Sequence, residues 1–230
     1  MLIGVIGAIE EEIRPLVEAM ANPRKSKWGK RTLYQGLLGD TEVVVTACGV
    51  GKVKAAACAQ HLIDRFSPEV VICTGVAGAV NPRIGIGDIV IGERALQHDF
   101  DLGDPHLLRK LRKRGLKADR RLVELAVYAG KTLGFEDRIH VGSVLTGDQA
   151  IASEEKRQWL WETFGGDCVD MESAAVAQVC QFNRIPFLIV RAISDSAVEG
   201  SVNEFKRSLV TSAVDAAGVV LGVLDRVTTS

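Results

Sequence analysis

Glu172 and Asp195 are the residues best placed in this sequence to move a proton. Both lie in one stretch, residues 169–195, VDMESAAVAQVCQFNRIPFLIVRAISD. Glu172 closes the extended run Val169-Asp170-Met171 as it breaks into a helix read over residues 173–182. Asp195 follows residues 186–193, an apolar, β-branched run of the kind found in a fully buried strand. Arg191 and Ser194 stand at the end of the same run. Ionisable groups at the end of a buried strand are costly unless paired or used, and ligands of open α/β sheets bind beyond the carboxyl ends of strands. Glu172 and Asp195 therefore face one crevice, or else both are surface turn charges; spacing alone leaves the two readings open. A third acidic group, Glu10-Glu11-Glu12, follows the first strand. Acidic residues in a first helical turn complement the helix dipole, which accounts for two of the three. A strand, a glycine turn and a helix also resemble a dinucleotide site, but G-x-G-x-x-G is absent and three carboxylates would repel a phosphate. A carboxylate in a crevice there suits a neutral or cationic substrate.

The elements that must position these groups follow from periodicity and turn chemistry. Residues 2–6 read as the first strand, Gly7-Ala8 as a turn, and a helix runs from Glu10 toward Met20. Residues 32–38 and 41–47 form a hairpin about Gly39-Asp40. A helix runs from Lys52 through Phe66, a short buried strand spans 70–73, and Thr74-Gly75-Val76-Ala77-Gly78-Ala79-Val80 reads as a turn. Its small residues let the backbone approach something closely, unless they serve ordinary turn chemistry. Strands at 88–91 and 138–145, helices at 119–133 and about 202–227, and a helix capped by Ser153 with Glu154 and Glu155 in its first turn complete the pattern. Strands alternating with helices predict an α/β fold, its mixed or parallel sheet covered on both faces.

The 230 residues suffice for one large α/β domain or two small ones, and with no linker or internal repeat we expect one domain over 1–230. Hydrophobic residues make up 47%, enough for a substantial core, and a net charge of -1 argues against nucleic-acid or membrane-surface binding. The five cysteines are scattered in apolar runs without C-x-x-C, as suits reduced thiols in a cytoplasmic protein. The four histidines are dispersed, so no metal site is legible. The N-terminal MLIGVIGAIEEE lacks a basic leader and is too short to span a membrane, so it reads as the first strand. Residues 107–117 carry the only charge run, either a solvated face or a receiver for an anionic group.

Four stretches together resemble the 5'-methylthioadenosine/S-adenosylhomocysteine nucleosidases of the nucleoside phosphorylase superfamily. They are IGVIGAIEEE at residues 3–12, Thr74-Gly75-Val76-Ala77-Gly78, Thr146-Gly147-Asp148, and Val169-Asp170-Met171-Glu172 with Arg191-Ala192-Ile193-Ser194-Asp195. The resemblance covers nearly the whole chain. It implies a three-layer α/β/α sandwich with a mixed, partly barrel-like sheet, a homodimer, no metal and no organic cofactor. It also implies hydrolysis of the N-glycosidic bond of a purine nucleoside, with the nucleoside and water as partners. By motif match, Glu12 would activate water, Asp195 would protonate the purine at N7, and Glu172 would hold the ribose hydroxyls. Met171 would pack on the sugar, Ile151 would read the base edge, and Gly78 would line the site beside Ile9, Val76, Ala77 and Asp170. Arg191 and Ser194 would position the carboxylates within the binding site.

Phosphorolysis is the neighbouring chemistry. Phosphorylases of this superfamily commonly place an arginine near the first glycine turn and a hydroxyl in the second, where this chain has Glu10 to Glu12 and Val76. The chain also departs from the nucleosidases. Ala150 stands where many members stack an aromatic residue on adenine, and the region after Phe100 becomes the basic run. Those departures leave open an aminodeoxyfutalosine or futalosine nucleosidase, whose substrate carries a carboxylate that could meet Arg109, Arg112 or Arg114. A non-catalytic nucleoside binder would not need all of Glu12, Glu172 and Asp195.

Overall fold

Strands that are apolar on both faces need cover on both faces, and here alternating helices supply it. The computed structural model describes residues 1–100, 103–104, 115–198 and 200–227, so Arg109, Arg112 and Arg114 of the basic run lie outside the described residues. In chain order the elements begin with β1 (Leu2–Gly7), α1 (Glu10–Ala19), β2 (Ala21–Trp28), β3 (Arg31–Leu38), β4 (Thr41–Ala47), α2 (Lys52–Phe66), β5 (Val70–Ala79) and β6 (Ile89–Gln97). They continue with β7 (Leu116–Lys117), α3 (Arg120–Thr132), β8 (Ile139–Thr146), α4 (Glu154–Phe164), β9 (Cys168–Asp170), α5 (Ser173–Asn183), β10 (Phe187–Asp195) and α6 (Ser201–Val227).

The sheet runs β10-β6-β8-β9-β5-β1-β4-β3-β2, and a further pairing of β10 with β5 closes five of these strands into a ring. Helices α1, α3 and α6 pack one core against the sheet through Ile13, Leu16, Leu122, Ala126, Val220 and Leu224. Helices α2 and α5 pack the other through Ala55, Leu62, Ala174, Val176 and Cys180. The result is the expected three layers with a barrel-like sheet.

Topology gathers the functional ends. β1 is parallel to β5, and β5 is parallel to β10. Their carboxyl ends, at Gly7, Ala79 and Asp195, therefore open on the same side of the sheet. β9 joins β5 through Gly78 opposite Val169, which brings the Asp170–Glu172 turn to that side.

Three sequence readings change. The segment 74–79 is not a turn; β5 continues through it to Ala79, buried along its length. Its small residues act inside the strand, where Gly75 has φ +150° and a Cβ there would meet Glu12 Oε1 and an Arg191 guanidinium nitrogen. β6 likewise runs on to Gln97 rather than ending at Ile91. β2 was not legible, because ANPRKSKW has no apolar alternation. It is an exposed edge strand paired with β3, irregular between Ala21 and Arg24 where Pro23 falls, as expected for a proline in a sheet. Among the described residues, α6 alone is long and apolar enough to cross a bilayer, over Val202–Val227. Its Ala216, Val219, Val220, Val223 and Leu224 are buried in the first core, so this is the composition of a core helix.

Candidate active site

A cavity of about 290 Å³ opens where these strand ends meet. Glu12, Glu172 and Asp195 all reach it, from α1, from the β9–α5 turn and from the end of β10. The surrounding wall is largely apolar, with Ile9, Val76, Ala77, Gly78, Ile151 and Met171 among its residues. An apolar pocket with a few convergent polar groups is the usual form of a small-molecule site.

Glu12 is 3% exposed and held by the backbone. Its Oε2 accepts hydrogen bonds from the amides of Ala8 at 2.5 Å and Ile9 at 3.0 Å. Its Oε1 accepts from the amide of Val76 at 2.9 Å. The Gly7-Ala8 turn and the glycine-rich end of β5 thus both donate to an internal carboxylate. Burial raises the pKa of Glu12, although Arg191 and the three amides oppose the shift. A carboxylate poised closer to neutrality is better matched to general base work.

Arg191 organises the other acids from behind the wall. It is 1% exposed and does not reach the cavity surface. Its guanidinium pairs with Asp170 at 2.8 Å, donates to Ser173 Oγ at 3.0 Å, and lies 3.9 Å from Glu12 and 4.0 Å from Glu172. Expected among the substrate-binding residues, it does not line the cavity, because its hydrogen-bonding groups are spent inside the protein. Asp170 borders the cavity, but its carboxylate is occupied by Arg191, by Thr146 Oγ1 at 2.6 Å and by the amides of Glu172 and Ser173. One buried cation facing three acids cannot hold all of them ionised at no cost. Burial, aided by the charge of Asp170, pushes the pKa of Glu172 up to about 7, against the pull of Arg191 and the Gly51 amide. That amide donates to Glu172 Oε1 at 2.8 Å.

This shift predicts a stability signature. The Glu172 pKa is raised in the fold, so stability is fullest below about 4.5 and falls as pH rises toward about 7. Above that range the protein carries an ionised, desolvated carboxylate beside Asp170. Glu172→Gln removes this charge and keeps an acceptor for Gly51. Its melting temperature should exceed the parent's at pH 8 by several degrees, since 1 kcal/mol is about 2–4 °C for a chain of this size. The gain should vanish near pH 5. Thermal melts at the two pH values check it, and a pH-independent difference would show that Glu172 titrates normally.

Asp195 is the last residue of β10 and is set apart from this cluster. Its Oδ2 accepts from Ser194 Oγ and its Oδ1 from the Ala197 amide, each at 3.0 Å. Burial raises its pKa, with a further push from Glu204. A carboxyl group that keeps its proton longer is suited to donate it. Gly78 leaves it room, since a Cβ at that position would meet Asp195 Oδ1 at 2.8 Å.

The fold thus brings together Ile9, Glu12, Val76, Ala77, Gly78, Ala150, Ile151, Asp170, Met171, Glu172, Ser194 and Asp195, and leaves out Arg191. Sequence reasoning missed Ala8, Val50, Gln149, Val169, Val202 and Phe205 as site residues, and all six also line the cavity. Phe205 had a visible signal, an aromatic side chain among Asn203, Glu204, Lys206 and Arg207 at the polar start of α6. It brings an aromatic ring to the same cavity that Ala150 lines.

Residues 2–225 match the family described as the Phosphorylase superfamily. The chain is 33% identical to the aminodeoxyfutalosine nucleosidase of Campylobacter jejuni, over 98% of this chain and 99% of that protein. It is 35% identical to the 5'-methylthioadenosine/S-adenosylhomocysteine nucleosidase of Oceanobacillus iheyensis, over 99% and 100%. The crystal structure of the corresponding nucleosidase of Neisseria meningitidis, in complex with methylthio-immucillin-A, superposes with a TM-score of 0.89 at 33% identity, covering 97% of this chain and 98% of that one.

Proposed function

From the premise that the chain belongs to the 5'-methylthioadenosine/S-adenosylhomocysteine nucleosidase family of the phosphorylase superfamily, we propose a division of labour among its carboxylates. The chain is an N-glycosidic hydrolase of purine nucleosides. Glu12 takes a proton from water as the water oxygen attacks the anomeric carbon. The bond from that carbon to N9 breaks, and Asp195 delivers a proton to N7 of the departing base. Glu172 accepts hydrogen bonds from the ribose hydroxyls, and Met171 packs beneath the sugar. The transition state carries positive charge on the sugar and negative charge on the base. Carboxylates stabilise the first, and protonation relieves the second.

The observation that carries hydrolysis over phosphorolysis is the bonding of Glu12. A phosphate in this corner needs free amide donors and no adjacent anion. The amides of Ala8, Ile9 and Val76 are already given to the Glu12 carboxylate. The purified protein is therefore expected to release free adenine and a free sugar from 5'-methylthioadenosine in phosphate-free buffer, at a rate that added phosphate does not raise. Product analysis with and without phosphate tests this; a sugar 1-phosphate product would overturn it.

Aminodeoxyfutalosine is the second substrate reading. It is favoured by Ala150 in place of a stacking aromatic and by the Campylobacter jejuni relative of that name. A homodimer is supported by the exposed Val50, which lines the cavity, and by the exposed Val53 three residues on. A cytoplasmic location is supported by five buried free cysteines.

A further inference from the structure

Three side chains spaced four apart on α6 reach back to the end of β10. Glu204 Oε2 accepts from the amide of Ser196 at 2.9 Å and from Ser196 Oγ at 2.5 Å. Ser208 Oγ donates to the carbonyl of Ser194, and Ser212 Oγ donates to the carbonyl of Ile193 at 3.1 Å. Residues at i, i+4 and i+8 share one helical face, so α6 grips residues 193, 194 and 196 with a single stripe. Asp195 sits inside the gripped segment.

The grip has a strained turn to hold. Ala197 has φ +55°, a left-handed conformation that an L-residue with a Cβ adopts at a cost. That conformation accompanies the bond from the Ala197 amide to Asp195 Oδ1 at 3.0 Å. Ser196 is the residue between them, and Glu204 binds it twice. The same first turns of α6 send Val202 and Phe205 into the cavity.

We propose that Glu204 is a positioning residue for Asp195: by clamping Ser196 it fixes the 196–197 turn and aims the carboxyl group of Asp195 at the leaving base. The inference rests on the nucleosidase reading for the identity of that base. Glu204 also acts on Asp195 through its charge. Ser196 holds Glu204 in its ionised form, and that anion raises the pKa of Asp195. The other charged groups of the site, Glu12 from α1, Glu172 from the β9–α5 turn and Asp170 from β9, are grouped around Arg191 of β10.

The test uses Glu204→Ala and Glu204→Gln in the full chain, at temperatures below their measured melting points. A misplaced reacting group costs about 10²-fold, so Glu204→Ala should lose about that much kcat on a purine nucleoside with little change in KM. It should keep most of its rate on a nitrophenyl riboside, whose leaving group needs no proton. Glu204→Gln keeps an acceptor for Ser196 and should recover most of the lost rate. Because the Glu204 charge is gone, the alkaline limb of its kcat/KM profile should move to lower pH. A 13C-carboxyl titration of Asp195 should move in the same direction in both variants. Equal losses on the two substrates, or an unmoved Asp195 titration, would overturn the proposal. A parent protein that releases no base would instead sink the nucleosidase reading, and the Asp195 titration would still decide the Glu204 link.

Discussion

Glu12→Gln is expected to lose about 10²–10⁴-fold in turnover, the range of one positioned proton transfer, while still binding a transition-state mimic. The carboxylate takes a proton only as water attacks, so its contribution lies in the transition state rather than in ground-state affinity. The substitution is not silent for the fold. Glu12 accepts from three amides, and a glutamine can accept through one oxygen only. Its best orientation keeps Ala8 and Ile9 and turns an NH2 toward the Val76 amide. One buried donor then goes unpaired, at about 1–3 kcal/mol. A lowered melting temperature is therefore part of the expectation, and turnover must be compared at a temperature where both proteins are folded. Steady-state kinetics and calorimetric binding of a methylthio-immucillin-type mimic check it together. Turnover within tenfold of the parent would remove Glu12 from the role of base.

The second large effect belongs to Asp195→Asn. The new amide can donate to Ser194 Oγ while its carbonyl accepts from the Ala197 amide, so the local hydrogen-bond pattern around Asp195 survives. What is lost is the acid. Turnover on a purine nucleoside should fall by about 10²–10⁴-fold. The loss on a nitrophenyl riboside should be much smaller, because that leaving group departs without protonation. The ratio of the two losses is the measurement. Equal losses would mean that Asp195 shapes the site without delivering a proton.

Much of this organisation was legible in the chain. The β-branched runs at 2–6, 70–73 and 186–193 are strands because they can be satisfied only with cover on both faces. The Gly39-Asp40 hairpin and the Ser153 cap follow from local turn and cap chemistry that needs no partner elsewhere. The readings that changed were those where tertiary context overrides local signal. Glycines 75 and 78 look like turn residues, yet they lie in a strand because the space of their missing side chains is taken by Glu12, Arg191 and Asp195. β2 carries no apolar alternation because it is an edge with little to bury.

The sequence by itself determined the fold class, the order of the elements, and the three acids that end or follow strands. Those are consequences of short-range patterns and residue types. Only the tertiary structure decided what each ionisable group faces. It turned Arg191 and Asp170 inward onto one another and gave amides of the first glycine turn and of β5 to Glu12. It also brought Phe205 from α6 to a cavity built by strands far away in the chain, and Glu204 onto Ser196 beside Asp195. Burial and neighbouring charge set protonation, and both come from contacts across the sheet that no local spacing encodes.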